Sequence, residues 1–341
     1  MKISRALTAL SAILLSAAAA VSCSSPTEPL SSGSGSVGEK SAVDMTSATY
    51  AVSDEPTSAD GGKNGEAIVP TVNPDFYGCS PYVFGYPLSE SEIYGDACGL
   101  VDAINGYSGF YAADADTAAL LADNIFFNYP PAALCGFEAV DGGISITYSC
   151  GESEFYEKLD EFFAKVRKIL DDTVSSDMSE LRIALELYRY VTTNVSYFSV
   201  DYTESQTSAY SALTSGRTIC YGFADAYDYL LRQSGISAEL VFGERSDGEE
   251  HGWSLVTIGG KRYHCDPTWE KSSKTHGLGL LYFGMSDGVR LYYTNSHAYI
   301  GKGAAKTAYG WTDCTDETFE KIRYMKSWTW EEIEKSLARM S

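Results

Sequence analysis

Several things are scarce in this 341-residue chain. Basic residues are few: 25 Lys and Arg stand against 46 Asp and Glu, for a formal net charge of −21. A balance of that sign argues against nucleic acid as a partner and against direct adhesion to anionic lipid heads. It does not name a substrate, because a solvated acidic surface produces the same number. No Cys-x-x-Cys pair occurs, so a structural zinc site lacks its usual ligand spacing. The apolar run from Ala6 to Val21 carries Thr8, Ser11 and Ser16, whereas a membrane span needs about 20 apolar residues. No repeat of fixed period recurs, and no Asp-rich calcium loop is present.

What the first residues do contain is Lys2 and Arg5, then that apolar run, then small residues. This is the layout of a secretory signal peptide over residues 1–22. The stretch "AVSC" from Ala20 to Cys23 resembles a bacterial lipoprotein cleavage site, in which the cysteine receives lipid, although Ala20 stands where Leu is commoner. The expected location is therefore the outer face of the bacterial cell membrane, held only through a lipid on Cys23; plain secretion is the alternative. Residues 23–70 are rich in Ser, Gly, Pro and acid, with Tyr50 as their only aromatic. Such a segment cannot bury enough apolar surface to offset its ordering entropy, and reads as a flexible tether. From about Val72 aromatics become dense, and roughly 270 residues remain, enough for one large or two small domains.

The chain has eight cysteines. With Cys23 assigned to lipid and Cys220 set aside as a functional thiol, six remain: Cys79, Cys98, Cys135, Cys150, Cys265 and Cys314. In an exported protein an even set fits disulfides. Six cysteines allow 15 connectivities; proximity in the chain suggests 79–98, 135–150 and 265–314.

Periodicity supplies the coarse elements. The stretch from Gly99 to Pro130 is helical in part, and "GFEAVDGGISITYSC" reads as a hairpin turning at Asp141-Gly142-Gly143. Phe155, Leu159, Phe162, Val166 and Ile169 share one helical face, and Leu181, Ala184, Leu185, Tyr188 and Val191 another. The second of these helices opens with Asp177 and Glu180 in the spacing of a capping box. Both helices read as core-forming.

The chemistry gathers further on. In "TSGRTICYGFADAYDYLLRQSG", Gly216 ends a loop, and Phe223, Ala226, Tyr227, Leu230 and Leu231 mark a helix that stops at Gly235. Cys220 falls in its first turn, where unpaired N–H groups and the helix dipole stabilise a thiolate. In "HGWSLVTIGGKRYHCDPTW", Gly259-Gly260 makes a two-residue hairpin turn closed by Ile258 and Lys261. Ser254 then faces Cys265, Trp253 faces Asp266, and His251 faces Thr268. Side chains alternate along a strand, so His251, Trp253 and Asp266 share a face opposite to Cys265. A carboxylate that orients an imidazole is the base half of a nucleophilic triad, and with Cys220 it gives an activated thiol. His264 lies on the same face, but on the order of 13 Å from His251 along the strand, too far to share an ion; it reads as an ordinary hydrogen-bonded strand residue. His276 and His297 read as surface residues.

These blocks resemble the bacterial transglutaminase-like superfamily: "GRTICYGFADAYDYLL" opens a helix with the nucleophile, "EEHGWSLV" carries a His-x-Trp strand, and "KRYHCDPTWE" the Tyr-x-x-Asp-x-Thr-Trp strand. The resemblance covers about Leu181 to Glu270, and more loosely "LADNIFFNYPPAALCGF" before it. Tyr221 stands where Gln is frequent, and "HGWS" where "HAWN" is frequent. The resemblance implies an α+β fold: a papain-like transglutaminase core with the nucleophile helix packed on an antiparallel sheet, over residues 153–341, preceded by a small N-terminal α/β region at 71–152. It implies acyl transfer through a thioester, with Cys220 attacking an amide carbonyl, His251 as base and then acid, and Asp266 orienting His251. The Cys220 amide is then an oxyanion donor, Tyr210 a second, and Trp253 and Trp269 walls of the groove. No cofactor or metal is implied. The expected partner is a protein or peptide substrate such as a cell-wall peptide. Two function classes stay open: an enzyme, either peptidase or amidase or a cross-linking transglutaminase, and a surface binding module that keeps the fold.

Overall fold

The computed structural model describes residues 79–198, 203–244, 250–294 and 314–338. The expected signal peptide, Cys23, the tether and His297 lie outside them. No described helix is long and apolar enough to cross a membrane.

The chain begins with α1 (Tyr94–Asn105), β1 (Phe110–Ala112) and α2 (Ala115–Asn124), followed by β2 (Cys135–Val140) and β3 (Gly143–Tyr148). These strands form an antiparallel sheet in the order β1-β3-β2. The hairpin expected at Asp141-Gly142 is present, with Val140 opposite Gly143. Gly142 sits at φ 83°, a value that glycine adopts without steric cost.

Two long helices follow, α3 (Glu152–Thr173) and α4 (Glu180–Asn194), each burying one stripe. The start of α4 differs from expectation. Its N-cap is Ser179, whose hydroxyl accepts the Arg182 N–H, while Asp177 turns back to Ser175. After the short parallel pair β4 (Ser196–Tyr197) and β5 (Arg217–Thr218), with α5 (Ala209–Ser215) between them, comes α6 (Cys220–Gln233). Gly216 caps α5 in the left-handed region at φ 69°.

Helix α6 carries more than the apolar stripe read from its sequence. Its residues from Gly222 to Arg232 are all buried, because it lies between α4 and α5 on one side and a second sheet on the other. Each fully buried Phe or Leu there contributes about 1.5–3 kcal/mol. That second sheet is antiparallel, in the order β6 (Ala238–Glu244), β7 (Glu250–Ile258), β8 (Lys261–Cys265). The β7–β8 register is the one that the Gly259-Gly260 turn dictates, with Ile258 opposite Lys261 and Ser254 opposite Cys265. Pairing ends at Cys265, however. Asp266 is the N-cap of α7 (Pro267–Ser272), and Pro267 lacks the N–H that a longer strand would need. Two further helices, α8 (Asp287–Thr294) and α9 (Trp330–Ala338), complete the described chain. One hydrophobic core runs from Cys79 and Leu100 through Phe155 and Leu185 to Phe223 and Ile333. The fold is α+β, with the helix that begins at Cys220 packed on an antiparallel sheet.

The expected disulfides are not found among the described residues, where all seven cysteines are thiols. Cys79 lies beside Arg167 and Asp171 of α3, whereas Cys98 lies beside Tyr94 and Asp102, so these two have separate surroundings. Cys135 is near Cys150 and Cys265 is near Cys314, without a bond in either pair.

Candidate active site

Cys220 is the first residue of α6 and is 1% exposed. The residue before it, Ile219, is extended and contributes no side-chain cap, and the positive end of the helix dipole at this first turn favours an anion. The helix is docked on β7 in a definite register. The ring of Tyr221 fills the space in front of Gly252, and its hydroxyl donates to Glu250 Oε2 at 3.0 Å. One turn later the Ser254 hydroxyl reaches Ala224 O. Taken back by one residue, this register brings Cys220 to the His251 end of β7.

His251 is fully buried. Its Nε2 lies 2.7 Å from Asp266 Oδ2, so the expected imidazole–carboxylate pair exists, with Asp266 at a helix start rather than on a strand. The other nitrogen, Nδ1, is also buried and is the one left to exchange a proton with a thiol. Further contacts hold Asp266. Its Oδ1 accepts the Trp269 N–H at 3.0 Å, its Oδ2 accepts Arg290 Nη1 at 2.9 Å, and its carbonyl accepts the Tyr188 hydroxyl at 3.0 Å. Burial alone would push its carboxyl up; the His251 imidazole and Arg290 outweigh burial and hold it below the usual carboxylate range. The His251 ring stacks on Trp269 at 4.7 Å and lies parallel to Trp253 at 6.0 Å.

A second buried chain supports the first. Trp253 Nε1 donates to His264 Nδ1 at 2.9 Å, and His264 Nε2 meets Asp287 Oδ1 at 2.9 Å. Burial holds His264 below the ordinary histidine value, with Arg290 acting in the same sense and the Asp287 bond opposing. It is therefore a neutral imidazole whose proton sits on Nε2. The reading of His264 as a hydrogen-bonded strand residue holds. His264, Asp287 and Cys314 do present ligand atoms within 4.8 Å of one another. A cation on Nε2 would require the proton on Nδ1, where the Trp253 N–H already points. This donor set does not fit a metal.

Two expected groove residues lie elsewhere. Tyr210, on α5, stacks on Phe162 of α3 at 5.5 Å, which commits it to core packing rather than to an oxyanion. Trp253 is fully buried and so supports the site from behind instead of lining a groove. Partly exposed rings gather around Tyr221, the residue after Cys220: centroids are 5.3 Å apart for Tyr221–Phe242 and 5.4 Å for Phe127–Phe242. Phe127 comes from the N-terminal region, which thus reaches Tyr221. Arg290 and Asp287 were missed by sequence reasoning. Their one signal is that both fall on a single helix turn, α8, in a stretch with little apolar pattern.

Residues 167–267 match the transglutaminase-like superfamily core. Among solved structures, a candidate cysteine protease from Cytophaga hutchinsonii is 18% identical over 43% of this chain and 44% of its own, with a TM-score of 0.30. A TGase is 16% identical over 46% of this chain and 48% of its own, with a TM-score of 0.27. The chain thus spans less than half the length of either structure. A comparison with curated proteins gives no match. The segment that carries Cys220, His251 and Asp266 is thus the part of the chain that matches the transglutaminase-like core.

Proposed function

We propose that the protein is a cysteine-dependent acyl-transfer enzyme that acts outside the cytoplasm and hydrolyses peptide or amide bonds. The observation that carries this reading is the buried His251–Asp266 pair at 2.7 Å, placed where β7 meets the first turn of the helix that begins at Cys220.

Cys220 Sγ attacks the carbonyl carbon of the amide, and its proton passes to His251 Nδ1. The carbonyl oxygen becomes an oxyanion beside the first-turn N–H groups of α6, among them that of Cys220. As the C–N bond breaks, His251 returns the proton to the leaving amine, and a thioester remains on Cys220. Water, deprotonated by His251, then adds to the thioester; the acid leaves, and the proton returns to the thiolate. Asp266 keeps Nε2 engaged throughout, so that Nδ1 carries the exchange. The substrate class that fits is a protein or peptide, including cell-wall peptide, reached from a lipid anchor at Cys23.

Transfer to an amine is the second reading, favoured by one observation: Cys220 is 1% and His251 0% exposed, and a site that excludes water protects a thioester. A trap with a peptide-like thiol electrophile, followed by peptide mapping, tests the enzyme reading. Adduct on Cys220, together with peptide cleavage that disappears in Cys220→Ala, is expected. A trap that misses Cys220 and no turnover across a broad peptide panel would leave the binding-module reading.

A further inference from the structure

The guanidinium of Arg290 is fully buried and bonds the same carboxylate oxygen that holds the catalytic imidazole. Arg290 Nη1 is 2.9 Å from Asp266 Oδ2, and His251 Nε2 is 2.7 Å from it. The guanidinium lies over the Trp253 ring at 4.0 Å and the Trp269 ring at 4.6 Å. These are the two indoles that flank His251. Arg290 also carries the triad's support back to α8, where Asp287, one turn earlier, holds His264.

We propose that Arg290 is a positioning residue that sets the pH window of the Cys220–His251 pair, moving it toward lower pH. The inference rests on the triad reading above. A carboxylate that faces an imidazole alone strongly favours the imidazolium. Here the carboxylate's charge is shared with a permanent cation, in a dry site where charges are weakly screened. Every more positive state of the pair is disfavoured: the thiol loses its proton at lower pH, and so does the imidazolium. Packing does not require this charge, since an apolar side chain of like volume would fill the gap between the indoles.

The other titratable groups around the cluster are Cys220 and Tyr221 on α6, Tyr188 on α4, His264 and Cys265 on β8, Glu270 on α7, Tyr282 after it, and Asp287 on α8. Glu270 is committed to the Tyr282 N–H at 2.8 Å and the Thr275 hydroxyl at 3.0 Å. Asp287 is turned to His264.

The test is the pH profile of Cys220 alkylation by iodoacetate in the full-length protein. This anionic reagent reacts fastest with a thiolate beside a protonated imidazole, so the rate rises with the first group and falls with the second. Arg290→Met and Arg290→Gln should move both limbs to higher pH, the falling limb by about one unit or more, while Arg290→Lys stays near wild type. A loss of amplitude with unmoved limbs, or an equal shift in the Lys variant, would overturn the proposal. If wild-type Cys220 gives a single limb at an ordinary thiol value, the triad reading fails instead, and this proposal with it. Should neither neutral variant fold, His251 is titrated by NMR in Cys220→Ala: a midpoint below about 7 supports the proposal and one above it overturns it.

Discussion

Tyr221 and Gly252 are two sides of one contact. A Cβ at position 252 would stand 2.5 Å from Tyr221 Cδ1 and 3.1 Å from Cε1, and the ring is tethered beyond by its hydroxyl on Glu250. Both positions depart from the pattern this stretch resembles, in which Gln and Ala are frequent there, and Gly252 leaves the room that the Tyr221 ring fills. Each residue adjoins a member of the triad, so the contact also sets how the helix start approaches the imidazole.

Gly252→Ala should therefore displace the Tyr221 ring and, with it, Cys220. Since a shift of about 1 Å costs on the order of a hundredfold in rate, Cys220 alkylation and turnover should fall at least tenfold. Adding Tyr221→Gln should restore most of the loss, giving a coupling of about 0.5–3 kcal/mol in a double-mutant cycle. Strictly additive effects would show that the contact does not connect the two residues.

Thiol reactivity separates Cys220 from the rest. Burial pushes Cys79 and Cys98 up to about 11, and Cys135 and Cys265 up to about 12. At neutral pH each is thiolate in about one molecule in ten thousand or fewer. Cys220, at a helix start whose register brings it to the His251 end of β7, should take iodoacetamide first and faster than a free model thiol. Mass mapping of the alkylated, folded protein checks this. Labelling led by any of the other four would remove the case for an activated nucleophile.

Much of the site was legible because local rules fixed it. The Gly259-Gly260 turn sets the β7–β8 register, and register alone puts His251 and Asp266 on one face. Gly216 and Gly235 bracket α6, which places Cys220 at its first residue. The details that failed were decided elsewhere. Pro267, two residues after Cys265, keeps the strand from running on and makes Asp266 a helix cap instead of a strand residue. Tyr210 has the right place in the chain for a groove, but Phe162, 48 positions earlier, claims its ring. Arg290 offers only its place one turn after Asp287: its role exists because α8 folds back over Asp266, a contact between residues 24 apart that no periodicity records.

Stability should fall as pH rises toward 8, because of Asp225. This carboxyl is fully buried on α6. Burial raises it to about 7, against opposing pulls from Arg232 and the Ala209 N–H. A folded value raised above the unfolded one of about 3.9 means that the stabilisation is complete below about pH 4 and is lost as pH climbs through 7. Between pH 5 and 8 this amounts to a loss on the order of 2–3 kcal/mol. Asp225→Asn keeps an oxygen for the Ala209 N–H, now 3.0 Å from Oδ2, and should flatten the curve over that range. Asp228 titrates in both proteins and drops out of the difference. Urea unfolding at stepped pH measures it; parallel curves for variant and wild type would mean that Asp225 is ionised throughout.

The acceptor of the acyl group is decided by what reaches the thioester. Cross-linking needs an amine led in and water kept out. The buried dyad meets the second condition. The segment "GERSDGEEHG" before the His251 strand is acidic and Gly-bearing in sequence, which favours a wet approach; its residues 245–249 lie outside the described structure. Water at about 55 M outcompetes a dilute amine unless the amine is held in position, because rate follows local concentration and orientation. The rings around Tyr221, namely Phe242 and Phe127, meet edge to face and offer a landing for an apolar side chain, but among the described residues no feature of the fold holds an amine in line with Cys220. Hydrolysis is therefore expected. With casein and a fluorescent primary amine, the purified protein should cleave without incorporating label, and the cleavage should vanish in Cys220→Ala. Label that enters casein in proportion to intact Cys220 would instead assign the protein to amine transfer.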